Sequence, residues 1–220
     1  LPPGQATGVP GPLSTIALWR WDLDRPDADD RSALSAEEQA RADRFIVPHA
    51  SRRFTAARAA MRRTLAVLCG GSPATVPLAI GPNGKPFLAG GPDFNLSHSG
   101  PVAIFAVADF PVGVDVEAVR PVEGGLARIV FAPTELAYLG GLSASDQTAA
   151  FFCGWTRKEA IIKAQGGSIA DLQHIVVLPQ PVRPGWQVTD LTIVPGYAAA
   201  IAAPRLGWTV SLQDPPHDAR

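Results

Sequence analysis

Two acidic segments carry the side chains best suited to chemistry. They are Gly113-Val114-Asp115-Val116-Glu117 and Trp155-Thr156-Arg157-Lys158-Glu159-Ala160-Ile161-Ile162-Lys163. Side chains alternate across a strand, so Asp115 and Glu117 share one face of the first segment. The second reads as a helix in which Trp155, Glu159 and Lys163 recur every fourth residue and line one stripe. Brought together, three carboxylates would suit a hard cation such as Mg2+, with Lys158 and Lys163 placed to hold phosphate oxygens. The chemistry of that combination is phosphoryl transfer. Each piece alone has an ordinary explanation: a V-D-V-E strand is commonly a half-exposed edge, and Glu159 with Lys163 is a common surface pair. Gly113 before the strand, and Trp155 on the same helix face as two ionisable groups, argue for more.

A second set of polar residues lies upstream. Asn95-Leu96-Ser97-His98-Ser99-Gly100 follows Phe94 and reads either as a plain polar loop or as a place that offers Ser97, His98 and backbone N–H groups to a phosphate. Gly81-Pro82-Asn83-Gly84-Lys85-Pro86 is a turn that displays Lys85. Arg52, Arg53, Arg58, Arg62 and Arg63 make a basic helix that either covers a phosphate or stays in water. Of the basic residues sixteen are Arg and three are Lys, and all three lysines (Lys85, Lys158 and Lys163) fall in these segments. A compact ammonium suits a point contact with an anion better than a planar fork does.

The elements that must position these groups follow from periodicity. Thr15 to Asp22 alternates as a strand, with Ala17, Trp19 and Trp21 on one face and Ile16 and Leu18 on the other. Ser35 with Glu38 forms a capping box that starts a helix, and a longer helix from about Ala50 to Cys69 stops at Gly70-Gly71. Strands are expected at Phe94 to Leu96, Val102 to Ala108 and Val112 to Glu117. The order then repeats. Phe131-Ala-Pro-Thr-Glu135 aligns with Leu34-Ser-Ala-Glu-Glu38, and a helix from about Thr148 to Gln165 ends at Gly166-Gly167 as its counterpart ends at Gly70-Gly71. Strands at His174 to Leu178, Trp186 to Val194, Tyr197 to Ala203 and Trp208 to Leu212 would complete a second sheet. The expected fold is therefore α+β, with two similar pseudo-twofold halves at residues 13–109 and 110–212 and tails at 1–12 and 213–220. A cleft between such halves is a common place for a ligand.

Composition narrows the function classes. The 220 residues are 46% hydrophobic and 18% charged, enough for one large core or two small ones, and the net charge of −1 gives no general attraction to nucleic acid. No apolar run approaches the ~18 residues that a membrane span requires. Cys69 and Cys153 lie in apolar helical patterns without metal-type spacing, which points to buried thiols in a reducing cytoplasm.

The ordered motifs G-K-P, F-N-L-S-H-S, G-V-D-V-E, F-A-P-T-E and W-T-R-K-E-A-I-I-K together resemble those of the Sfp-type 4′-phosphopantetheinyl transferases, from about Leu34 to Gly167. The resemblance implies Mg2+ held by Asp115, Glu117 and Glu159, and coenzyme A as co-substrate. It implies Lys158 and Lys163 near the coenzyme A diphosphate, and Lys85, Pro86, Asn95, Ser97 and His98 as coenzyme A contacts, with His98 near the 3′-phosphate. Arg53 falls on a basic position for that end of the nucleotide, and Arg41 is a weaker candidate for the same task. The implied partner is an acyl, peptidyl or aryl carrier protein, met by a monomer that uses neither nucleic acid nor membrane. Within this reading Glu159, Lys163 and Asp115 are the catalytic set, with Glu159 the base. A metal-dependent phosphoester hydrolase or a non-catalytic coenzyme A-binding module would share part of the pattern. Two departures stand out: Gln165-Gly166-Gly167-Ser168 replaces a G-x-G-L-like turn, and Phe54 stands where a hydroxyl would help bind phosphate.

Overall fold

In chain order the elements are β1 (Ser14–Asp22), α1 (Ala36–Asp43), α2 (Pro48–Cys69), β2 (Leu78–Ile80), β3 (Pro86–Leu88), β4 (Asp93–Ser99) and β5 (Val102–Ala108). They continue as β6 (Gly113–Ala118), α3 (Leu126–Val130), α4 (Pro133–Gly140), α5 (Ala144–Gln165), β7 (Gln187–Asp190), β8 (Tyr197–Ala203) and β9 (Trp208–Leu212). These come from a computed structural model that describes residues 14–25, 27, 29–180 and 184–215.

The alternation of β1 resolves into two cores. Trp19 and Trp21 join Phe94 and Phe105 against Met61 and Leu65 of α2, while Ile16 and Leu18 face the other way. Trp21 stacks on Phe105 at 5.4 Å between ring centroids. Burying each such large side chain is worth about 1.5–3 kcal/mol, so α2 is held mainly by this aromatic face. The sheet has the order β4-β5-β1-β9, with β5 antiparallel to both neighbours and β9 parallel to β1. Its second face packs Ile16, Leu18, Ile104 and Ala106 on Val112, Val114, Val116 and Ile201. Val112 leads into, and the other three of these belong to, an antiparallel sheet of order β6-β8-β7, whose far face carries Ala200 and Ala202 against Phe152, Ile161 and Ile162 of α5. The layers thus run helix, sheet, sheet, helix. The α+β expectation is met.

Several expectations need correcting. Trp208–Leu212 does not complete the second sheet but returns to the first, where it pairs with β1 and buries Trp208 between the sheets. Pairing partners depend on which edge is free, and a strand's own pattern does not encode that. His174 to Leu178 forms no strand; a 3-10 turn over Ile169–His174 precedes it. The N-L-S-H-S segment is strand rather than loop, because β4 runs through Ser99. Gln213 and Asp214, expected in a tail, are tied to β1: Gln213 N–H donates to Leu18 O and Trp19 Nε1 to Asp214 O. The expected tail at 1–12, and 216–220 of the other, lie outside the described residues. Both cysteines are free, but Cys69 is exposed at the end of α2 and Cys153 only half-buried. Among the described residues no helix is long and apolar enough to cross a membrane.

Candidate active site

The site is built where the two sheets meet at β4 and β6. Their backbones are not paired in one ladder. Instead, alternate side chains of β4 take the N–H groups of alternate residues in and just before β6. Asp93 accepts from Val112 N (3.0 Å), Asn95 from Val114 N (2.9 Å), Ser97 from Val116 N (3.4 Å) and Ser99 from Ala118 N (3.1 Å). A constant offset and a period of two make this a side-chain zipper. Buried backbone donors that no strand pairs would otherwise be orphaned. The zipper also aims the acids: Ser97 Oγ donates to Asp115 Oδ1 (2.7 Å) and Ser99 Oγ to Glu117 Oε2 (2.8 Å). Ser99 was not among the site residues expected from sequence. Its place two residues after Ser97, like Glu117 after Asp115, is the signal that would have found it.

The opposite wall is α5. Gly113 lies on the same face of β6 as Asp115 and Glu117, and a Cβ built there would fall 2.0 Å from Ala160 O and 2.4 Å from Ala164 N. The missing side chain lets the helix backbone rest on the strand. Ala200 and Ala198, across from Asp115 and Glu117 on β8, keep the rest of that face low. Lys163 consequently reaches across: its ammonium donates to Asp115 Oδ1 (2.6 Å) and Ser97 Oγ (3.1 Å) rather than pairing with Glu159 along the helix. Asp115 Oδ2 is buried with no hydrogen-bond partner. Glu159 accepts no hydrogen bond from the described residues.

The three carboxylates feel one another. Burial raises the pKa of Glu159, helped by the charges of Asp115 and Glu117 and opposed by Lys163. Glu117 is raised by burial and by Asp115, against Ser99 and Arg120. Asp115 is raised by burial despite Lys163 and Ser97. Oxygen donors of this kind, with one buried lone oxygen, suit a hard divalent cation in chemical type. As the side chains stand, no three acidic, His or Cys groups among the described residues are close enough to hold a metal, and Lys163 supplies the positive charge beside Asp115.

A cleft of ≈ 430 Å³ opens beside these groups, lined by Glu159 and Lys163 on α5 and by Lys85, Pro86 and Asn95 from the first half. Lys85 is held by Asp93 Oδ1 (2.7 Å) and Val112 O (3.1 Å). His98 lies on the other face of β4 from the zipper. Burial, then the positive charges of Lys163 and Arg53, lower its pKa. Arg53, in the first turns of α2, forms a two-pronged pair with Asp24, with both N···O distances 2.7 Å.

One expected site residue lies elsewhere. Lys158 is fully buried and its ammonium donates to Glu135 Oε2 (2.5 Å), Leu172 O (2.9 Å) and Val130 O (3.0 Å) beneath the Phe131 ring. All three of its donors are spent away from the cleft. A comparable clamp joins the first two helices: Glu38, at the third position of α1, is gripped by Arg58 and Arg62 of α2, and Arg62 also donates to the carbonyls of Pro73, Ala74 and Val76. Glu135 and Lys158 repeat that buried clamp in the second half. Arg41, exposed on α1, lies 5.1 Å over the Phe54 ring, and Phe54 packs on Phe45 and the Leu34 cluster. The Phe54 departure therefore belongs to the α1–α2 contact. Of the basic helix, Arg58 and Arg62 clamp Glu38, and Arg63 pairs with Asp30 (2.6 Å).

A two-sheet α+β scaffold that sets paired strand carboxylates against a helix carboxylate and ammonium, beside a basic cleft, describes a class of group-transfer protein. The family model of the 4′-phosphopantetheinyl transferase superfamily matches residues 111–200, a span that contains Asp115, Glu117, Glu159 and Lys163. The chain is 36% identical over 211 residues to the 4′-phosphopantetheinyl transferase HetI of a Nostoc species, covering 88% of this chain and 89% of that protein. It is 32% identical to a 4′-phosphopantetheinyl transferase of Bacillus subtilis, over 67% of this chain and 69% of the relative. To the transferase Sfp of Bacillus subtilis strain 168 it is 31% identical, over 54% and 59%. The chain belongs to the 4′-phosphopantetheinyl transferase superfamily.

Proposed function

We propose that this protein moves the 4′-phosphopantetheine arm of coenzyme A onto a serine of an acyl, peptidyl or aryl carrier protein and releases adenosine 3′,5′-bisphosphate. The observation that supports this most directly is the cleft in which Glu159 and Lys163 of α5 face Lys85, Pro86 and Asn95 of the first half. An anion-holding wall and a proton-accepting wall meet in one space.

In the reaction the carrier serine loses its proton as its oxygen attacks the β-phosphorus, and the bond to the nucleotide phosphate breaks. Glu159 is the base: burial and two neighbouring carboxylates raise its proton affinity, and it accepts no competing hydrogen bond from the described residues. Lys163, its side chain 28% exposed, can turn from Asp115 toward the diphosphate and offset charge on the oxygens of the breaking bond. Asp115, Glu117 and Glu159 would hold Mg2+, which supplies further positive charge to the diphosphate when bound. Ser97 and Ser99 keep Asp115 and Glu117 aimed at that place. His98, kept neutral by burial and by Lys163 and Arg53, donates a ring N–H to the nucleotide, and Arg53 exchanges Asp24 for phosphate. Lys158, its donors spent in the buried clamp, takes no part. The protein acts as a cytoplasmic monomer, a setting in keeping with its two free thiols.

The test is incubation with coenzyme A, Mg2+ and a panel of apo carrier proteins, followed by mass spectrometry of the carriers. A carrier that gains the arm supports the reading. Hydrolysis of coenzyme A with no carrier modified, or binding without turnover, sinks it in favour of a hydrolase or a binding module.

A further inference from the structure

The hairpin of β2 and β3 forms a two-stranded sheet of its own, bonded to neither of the larger sheets. Strands of three residues paired only with each other are marginal in water, so tethers must hold the hairpin in place. Leu88 is buried in the first core with Leu78 packed against it, and two polar tethers add to that anchor. Where the turn enters β3, Lys85 is fixed to Asp93 and to Val112 O. At its tip, Asn83 Nδ2 donates to Gly166 O at 2.6 Å, linking residues far apart in the chain. The second tether crosses the ≈ 430 Å³ cleft, whose lining includes Asn83 and Lys85 on one side and Gly166, Gly167 and Ser168 on the other.

The carbonyl is available because of how α5 ends. Gly166 adopts a left-handed conformation (φ 62°, ψ 30°), and Gly167 N–H closes the last turn onto Ile162 O (2.9 Å). This is the Gly-Gly-Ser turn that departs from the family pattern. Asn83 sits in the Gly81–Lys85 turn, closed by Gly81 N to Lys85 O (2.9 Å), where a side-chain amide can project across the gap.

We propose that Asn83 and the Gly166 carbonyl form a latch that holds the β2–β3 hairpin closed over the coenzyme cleft, making Asn83 a positioning residue for the nucleotide end of coenzyme A. The latch acts through Lys85 and Pro86, which the hairpin carries into the cleft. This inference rests on the coenzyme A reading above. A hairpin that spends part of its time open lowers the fraction of binding-competent protein, and apparent affinity falls by that fraction. One hydrogen bond of this kind changes the open-to-closed ratio by roughly three- to tenfold.

The experiment compares wild type with Asn83→Ala and Asn83→Asp. The aspartate keeps turn-forming character but sets an acceptor against the carbonyl, so it separates the latch from the turn. Amide hydrogen exchange of residues 81–88 is read without ligand, and calorimetric Kd values for coenzyme A and for adenosine 3′,5′-bisphosphate are read alongside. Both variants should exchange faster through the hairpin and bind both nucleotides more weakly, by at most the roughly three- to tenfold change in the open-to-closed ratio, while kcat at saturating coenzyme A stays within about twofold. Unchanged hairpin exchange in both variants overturns the latch whatever the protein binds. Faster exchange with unchanged Kd in a binding-competent wild type overturns its role in positioning. A wild type that binds no coenzyme A defeats the functional reading and, with it, the positioning role, while the ligand-free exchange still decides whether the hydrogen bond holds the hairpin.

Discussion

Replacing Lys158 by Met separates structure from chemistry at the residue that the helix motif makes most ambiguous. Its ammonium is fully buried, as is Glu135, and it makes three hydrogen bonds at 2.5–3.0 Å. Removing one partner of a buried ion pair costs about 3–5 kcal/mol, because the other charge is left without its counterion. Here the lower end is expected. Glu135 would keep the N–H groups of Val177 (2.8 Å), Leu178 (3.2 Å) and Ala132 (3.0 Å), while the carbonyls of Val130 and Leu172 lose a donor. A loss of about 3 kcal/mol lowers Tm by roughly 6–12 °C in a protein of this size. The assay is urea unfolding of Lys158→Met, with coenzyme A affinity measured at low temperature where the variant is folded. The expected result is a midpoint shifted strongly to lower urea and a Kd within about twofold of wild type. A wild-type midpoint with coenzyme A binding weakened tenfold or more would refute the clamp and restore Lys158 to the diphosphate.

Three further outcomes are expected. Glu159→Gln should lower transfer by about 10²–10⁴-fold while Tm holds or rises, since it removes one of three mutually repelling carboxylates; a variant retaining wild-type kcat would exclude Glu159 as base. Gly113→Ala should cost about 3 kcal/mol or more and reduce transfer by about 100-fold, because α5 must lift off β6 to admit a Cβ that would sit 2.0 Å from Ala160 O; unaltered urea unfolding would contradict the close approach. Burial and the nearby positive charges hold the His98 imidazole below its ordinary pKa of 6.5, so protonation favours the unfolded chain and stability falls as pH drops below that value. The Tm of His98→Gln should therefore lose less than that of wild type between about pH 7 and pH 5, and parallel Tm curves would argue against a depressed His98.

Much of this fold is local in origin. The two faces of β1, the capping box at Ser35 and Glu38, and the glycine stops of α2 and α5 are carried by residues close together in the chain, and the sequence reading of each agrees with the structure. The shared face of Asp115 and Glu117 is likewise a matter of period two. Elsewhere local pattern points the wrong way. Polar N-L-S-H-S resembles a loop because its role is to satisfy another strand's N–H groups, and that partner is invisible until β6 lies alongside. Lys158 resembles a phosphate ligand because it adjoins Glu159, although successive helix positions point about 100° apart. Its place became legible only once Glu135, Val130 and Leu172 were seen packed around it.

The sequence alone determined which faces the candidate groups occupy, because strand and helix periodicities assign Asp115, Glu117, Glu159 and Lys163 to faces without reference to anything distant. Tertiary structure decided how those faces meet. Gly113 admits the backbone of α5, Ser97 and Ser99 cross from one sheet to steer the acids of the other, and Lys163 takes Asp115 in place of Glu159. It also decided which cations reach the cleft and which are sealed in the core, since burial and hydrogen-bond partners depend on packing between segments far apart in the chain.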